Sequence, residues 1–185
     1  TDYNSIIGGQ YNKICDYDAD YSGILAGTDN CIGYRSQRSV ILGGCNNSMY
    51  YAGNYYTDAF SAIVAGVNNT INFFSSYSTI TGGCNNTICT SYSSSILGGR
   101  GNCICDGSHD SAIIAGHYNC ICNSCNSVIL GGNGTPYGGY LSQYIYGSDR
   151  AAIVAGHFNK LTYSQFSVVV GGANNKICNG SVNAG

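Results

Sequence analysis

Isoleucine, glycine and asparagine recur along this chain in a fixed phase. A short apolar run closes on a Gly-Gly or Ala-Gly pair. Three residues later stands an Asn, and two residues beyond it an Ile that opens a second short run, as in SAIIAGHYNCIC, Ser111–Cys122. Ten copies can be read, with glycine pairs ending at Gly9, Gly27, Gly44, Gly66, Gly83, Gly99, Gly116, Gly132, Gly156 and Gly172. The steps between them are 18, 17, 22, 17, 16, 17, 16, 24 and 16 residues. A period in this range, carried from end to end, is the signature of a solenoid.

Each position of the template has a physical reading. The β-branched run suits a short buried strand. The Gly that closes it permits a positive φ or a close approach of the next coil. The Asn residues (Asn12, Asn30, Asn47, Asn69, Asn86, Asn102, Asn119, Asn159 and Asn175) suit a turn and can stack as a hydrogen-bonded ladder. Counting three from Gly132 puts Thr135 in the eighth copy instead. The following Ile (or Met49, or Leu161) starts the second strand. The pattern predicts an all-β fold, a parallel β-roll or β-solenoid of about ten coils of 16–18 residues. One repeat makes one coil, and Ile24, Ile63, Ile96, Ile113, Ile129 and Ile153 fall in one ladder.

The two strands differ. NCIC and NTIC alternate, so one face is buried. SAIIAG, SVILGG and SVVVGG are apolar on both faces. A strand apolar on both faces needs a cover on each, and a narrow roll supplies only the inner one. The second cover is most simply another copy of the chain, so an oligomer is expected.

A longer period overlies the short one. The residue before each closing Gly runs Gly8, Ala26, Gly43, Ala65, Gly82, then Gly98, Ala115, Gly131, Ala155, Gly171. The two long steps match as well. The chain therefore reads as a single solenoid domain, 1–185, built of two five-coil blocks, about 4–93 and 94–185, with insertions at 45–60 and 133–150. Neither end shows a polar cap, so end-to-end continuation into a longer fibre is expected. The insertions carry Tyr50, Tyr51, Tyr55 and Tyr56, and Tyr137, Tyr140, Tyr144 and Tyr146. Recurring five coils apart, they are expected on one edge. Tyr offers large contact area with a polar tip, so these are the candidate ligand-binding residues; the alternative is that they fold back and cover the roll.

Composition narrows the rest. Charged residues make up 9% of the chain and the net charge is −2, which offers no basic footprint for nucleic acid. No run is long enough to insert into a membrane. Eleven Cys cannot all pair within one chain. Adjacent coils lie ~4.8 Å apart, within the Cα range of a disulfide, so Cys103–Cys120 and Cys105–Cys122 are candidate outward rungs. The alternative is free, weakly polar ladder residues. C-I-C units put the flanking thiols along one strand face and no paired C-x-x-C units exist, so a metal site is not expected, nor is a cofactor. Asp16–Gly23 lacks the Gly and Glu of a calcium loop. His117 and His157 are two coils apart, and His109 has no phased nucleophile, so no enzyme is expected.

The S-x-I-x-G-G-x-x-N-x-I pattern resembles the head repeats of trimeric autotransporter adhesins. It is also similar to the Cys-rich IIGG/NTIC repeats of giant-virus surface proteins and phage fibres. The resemblance implies a side-by-side homotrimer of parallel β-rolls used for attachment. It leads to the expectation of a structural and adhesive segment of an extracellular fibre, on a cell or virion surface, contacting host surface glycans or proteins. The alternative is a purely structural fibril with no specific ligand.

Overall fold

The computed structural model describes residues 3–15, 19–50, 52–53, 59–133 and 142–178. Among them there is no helix, and all strand pairing is parallel. Twenty strands form two ten-stranded sheets. The first sheet runs from Ser5–Ile6 to Val168–Val169 and the second from Lys13–Ile14 to Lys176–Cys178. Each repeat gives one strand to each sheet, so the chain winds as a β-solenoid of about nine turns with one repeat per coil. No helix among the described residues is long and apolar enough to cross a membrane.

Strands of two to four residues can each send only one or two side chains inward, and isoleucine fills that place. In the first sheet Ile24, Ile41, Ile63, Ile80, Ile96, Ile113, Ile129 and Ile153 are successive partners. In the second, Ile32, Met49, Ile71, Ile88, Ile104, Ile121, Ile145 and Leu161 are. All of these are buried in one continuous core. Each contributes about 1.5–3 kcal/mol of transfer free energy. β-Branching restricts χ1, so the column packs in register at little further entropic cost.

Polar ladders run beside the apolar ones. Asn86, fully buried, donates from Nδ2 to the carbonyls of Gly82 at 3.0 Å and Gly99 at 3.1 Å. Its Oδ1 accepts the backbone N–H of Asn102 at 3.0 Å. The same Oδ1 link joins Asn12 to Asn30, Asn30 to Asn47, Asn47 to Asn69, Asn69 to Asn86, Asn102 to Asn119 and Asn159 to Asn175. Two serine ladders occupy the return segment. Ser91, Ser108, Ser124, Ser148 and Ser164 form one, each N–H bonding the preceding hydroxyl. Ser22, Ser39, Ser61, Ser78, Ser94, Ser111 and Ser127 form the other. The coil can thus bury its corners with few orphaned backbone groups.

The two glycines of each pair are not equivalent. Gly116 has φ +101°, and an added Cβ would strike the Gly132 carbonyl in the next coil. Gly82 and Gly98, one place earlier in their coils, would carry a Cβ into open space. That explains why the earlier position tolerates either Gly or Ala and the later one holds Gly throughout.

The eighth copy departs from the expected phase. Its ladder place is taken by Gln143, which pairs with Asn159, and not by Thr135, which lies outside the described residues. Gln143–Tyr146 is a strand of the second sheet, so the extra chain ends before it, and the expected insertion 133–150 is too wide. Likewise Ser48–Tyr50 is a regular strand within the span 45–60.

Candidate assembly and binding surfaces

The outer face of the first sheet carries an apolar column formed by the residue after each core Ile. Leu25, Leu42, Leu97, Ile114 and Leu130 are 38–47% exposed, with Val64 half-buried after Leu42, Val154 half-buried after Leu130, and Val170 more exposed at the end. Thr81 is the polar interruption. Beside this column runs the small Gly/Ala column described above. An exposed apolar stripe of this regularity marks an interaction surface.

The outer face of the second sheet is chemically different. Cys103 pairs with Cys120 and Cys105 with Cys122 in the parallel register. Cys105 and Cys122 are joined by a disulfide, with Cα atoms 4.9 Å apart. Cys103 and Cys120 face each other as free thiols. Cys89, Cys103, Tyr144 and Tyr146 pack around the buried Cys105, Cys120 and Cys122. Crowding changes the thiols' acidity. Hydrogen bonding to Cys120 and burial push Cys103 up to about 12, and Cys89 is raised by its hydrogen bond with Cys103 and by burial. Cys31, near Cys15, is also raised, chiefly by burial. These thiols stay protonated at neutral pH.

The tyrosines singled out in the sequence divide into three groups. Tyr51, Tyr55, Tyr56, Tyr137 and Tyr140 lie outside the described residues. Tyr50 is exposed at the end of its strand, over Gly33, where a Cβ would strike its ring. Tyr144 and Tyr146 are strand residues, half-buried, their rings stacked at 5.9 Å. Lys160 Nζ sits 5.0 Å from the Tyr144 ring centre. Burial, aided by Cys120, pushes the Tyr144 hydroxyl up to about 12. The expected common edge is also corrected. Residues 51–58 follow the second-sheet strand Ser48–Tyr50, whereas residues 134–141 precede the second-sheet strand Gln143–Tyr146. The described anchor residues Tyr50 and Ser142 therefore stand at opposite ends of second-sheet strands, while residues 54–58 and 134–141 lie outside the described residues.

Sequence reasoning missed one surface feature, a stack along the return edge. The Arg38 guanidinium lies 5.7 Å from the Tyr21 ring and 5.1 Å from Phe60. Phe60 stacks on Tyr77 at 5.4 Å, and Tyr92 on His109 at 3.7 Å. Tyr21, Arg38, Phe60 and Tyr77 all hold φ between 46° and 61°. Left-handed backbone costs about 1–2 kcal/mol per residue, which intercoil bonds such as Tyr77 N–H to the Ala59 carbonyl at 2.6 Å offset. A partial signal was the aromatic or cationic residue one place before Ser22, Ser39, Ser61, Ser78 and Ser167, which Ser94, Ser111 and Ser127 lack. On the turn edge, His117 and His157 both hydrogen-bond to Asn133, which stands in the coil between them.

No family model matches the chain, and no curated protein matches it.

Proposed function

We propose that this chain is a structural and adhesive segment of an extracellular fibre, on a cell or virion surface. Copies pack side by side as a homotrimer through the outer face of the first sheet. The observation that carries this reading is the apolar column Leu25–Leu42–Val64 and Leu97–Ile114–Leu130–Val154, interrupted at Thr81, beside a small-residue column. A parallel sheet is ordinarily covered on both faces. The small column lets a neighbour approach closely. The resemblance to adhesin heads supports three copies.

The adhesive role rests on the Tyr-rich segments, with exposed Tyr50 at the base of one of them. Tyrosine faces and hydroxyls match the C–H faces and hydroxyl edges of surface glycans. Copies repeated along and around a fibre give multivalent contact. The packing of Tyr144 and Tyr146 against the cysteine cluster favours the second reading, a structural fibril without a ligand.

Native mass spectrometry of the full chain tests the assembly. A trimer that Leu97→Asp with Leu130→Asp converts to folded monomer supports it; a stable wild-type monomer at micromolar concentration overturns it. Excision of residues 134–141 tests the adhesive part. Loss of glycan-array binding with retained strand signal supports adhesion through that segment, whereas an intact chain that binds no glycan leaves the structural fibril.

A further inference from the structure

A lone C-x-C is a poor ligand set, but winding the chain places two of them side by side. Cys103 and Cys105 flank inward-pointing Ile104, and Cys120 and Cys122 flank inward-pointing Ile121. The two-residue period turns all four thiols to the outer face of the second sheet. The Sγ atoms of Cys120 and Cys122 lie 3.8 Å apart. Those of Cys103, Cys105 and Cys120 lie within 4.8 Å of one another. A tetrahedral ion bound to four thiolates at ~2.3 Å holds its sulfurs about 3.8 Å apart. The Cys120–Cys122 edge already has that spacing, those among Cys103, Cys105 and Cys120 need to close by about an ångström or less, and Cys105 and Cys122, bonded to each other here, open to it once reduced.

We propose that, when reduced, Cys103, Cys105, Cys120 and Cys122 bind one thiophilic d10 cation of the Zn²⁺ class as a closed tetrathiolate site. Four soft sulfur donors select such an ion over the hard cations that prefer oxygen. Cys105, Cys120 and Cys122 are at most 9% exposed, and Tyr144 and Tyr146 pack against them. The set leaves no position for water, so the site is structural and not catalytic. It fastens two adjacent coils from outside, as the disulfide does.

Ion and disulfide use the same sulfurs and exclude each other. A dithiol opens the Cys105–Cys122 bond by giving two electrons and two protons, and is itself oxidised to its disulfide. Binding of one divalent ion by the four thiols then releases four protons, so the site empties as the pH falls. Asp106, whose carboxylate Oδ2 lies 3.5 Å from Cys122 Sγ, stands at the rim as an alternative oxygen donor. Cys89 adjoins the quartet as a fifth thiol. In reducing surroundings the ion pins these coils; in oxidising surroundings the covalent rung does.

The test uses the full chain, reduced with dithiothreitol and freed of it under argon. It is titrated with Co²⁺ and then Zn²⁺ against a chromogenic chelator. One ion per chain is expected, with thiolate-to-cobalt charge-transfer and tetrahedral ligand-field bands that Zn²⁺ abolishes. Loss of an outer-shell partner alone costs metal sites roughly 10–100-fold, so Cys103→Ser or Cys120→Ser is expected to weaken Zn²⁺ at least about tenfold. Formation of the Cys105–Cys122 disulfide on air oxidation reports that those variants fold. A chain with Cys15, Cys31, Cys45, Cys84, Cys125 and Cys178 all changed to serine is expected to keep the single ion. The proposal is overturned if the reduced chain takes no Zn²⁺, if Cys103→Ser and Cys120→Ser bind as tightly as wild type, or if the disulfide-bonded chain binds equally well.

Discussion

Gln143 Oε1 accepts the backbone N–H of Asn159 at 3.0 Å and so carries the polar ladder past the second insertion. The join is imperfect. Asn119 Oδ1, which in other coils would accept from the next ladder residue, has no partner among the described residues, and neither has Gln143 Nε2. The adjacent backbone has been re-routed, with Ser142 N–H bonding the Tyr118 carbonyl at 2.8 Å.

Truncating this bridge should expose how little slack it has. Gln143→Ala leaves the buried Asn159 N–H without an acceptor, which costs about 1–3 kcal/mol. Gln10→Ala, at an exposed turn, should stay within about 0.5 kcal/mol. Urea midpoints of the two variants against wild type give the comparison. Equal midpoints would mean the ladder link adds nothing.

How much of this was legible in the sequence depended on whether the period survived. The Ile columns and most Asn rungs follow from the repeat, because a fixed step with parallel winding leaves one register. Gln143 was missed because the inserted residues moved it eleven places from Gly132. The local signal remained, since Ile145 follows Gln143 at the same spacing as Ile121 follows Asn119. The serine pairs, such as Ser108 with Ser111, were visible in the sequence, but a small polar residue in a return segment does not by itself announce burial; in the coil their hydroxyls are buried ladder atoms. The aromatic corners were harder to read, because their recurrence before the template Ser is incomplete and Tyr, Phe and Arg carry no preference for positive φ. For the cysteines, coil spacing alone satisfied both candidate rungs, so it could not decide which pair is joined.

The inequality of the paired glycines gives a sharp substitution test. Gly83→Ala places a methyl against the Gly99 carbonyl at φ +90° and should destabilise the chain clearly, by more than about 1 kcal/mol. Gly82→Ala meets nothing within 4 Å and should be neutral or stabilising by about 0.4–1 kcal/mol through the unfolded chain. Thermal melts of both variants, made side by side on the same oligomeric species, check the sign. A reversed order would show that the close approach between coils is not what holds the later glycine.

The covalent rung should contribute through the unfolded state. Cys105 and Cys122 are 17 residues apart, and closing a loop of that size is worth about 3 kcal/mol in the chain-entropy model. In metal-free buffer, Cys105→Ser or reduction should lower the denaturant midpoint accordingly. Cys45→Ser, an exposed free thiol, should not. Alkylation before reduction, with mapping of the modified peptides, identifies the protected pair. Complete labelling of Cys105 and Cys122 without reductant would rule the rung out.

Acid should loosen the return edge at His109. Its Nδ1 accepts the Tyr92 backbone N–H at 3.2 Å while its ring stacks on Tyr92, so the bond requires the neutral imidazole. Burial lowers its pKa below the ordinary 6.5, and the neighbouring Asp110 carboxylate opposes that only in part. With the folded value below the unfolded one, the unfolded chain binds the proton first. The stabilising contribution is therefore complete above about pH 6.5 and is lost as pH falls through the folded value. His109→Phe keeps the stack and removes the proton site, so its stability should fall less than that of wild type between about pH 7 and pH 5. The difference between the two pH profiles isolates this group from the carboxylates, which titrate lower in both proteins. Parallel profiles from urea denaturation at matched ionic strength would show that His109 keeps its bond when charged and that the edge is not acid-sensitive there.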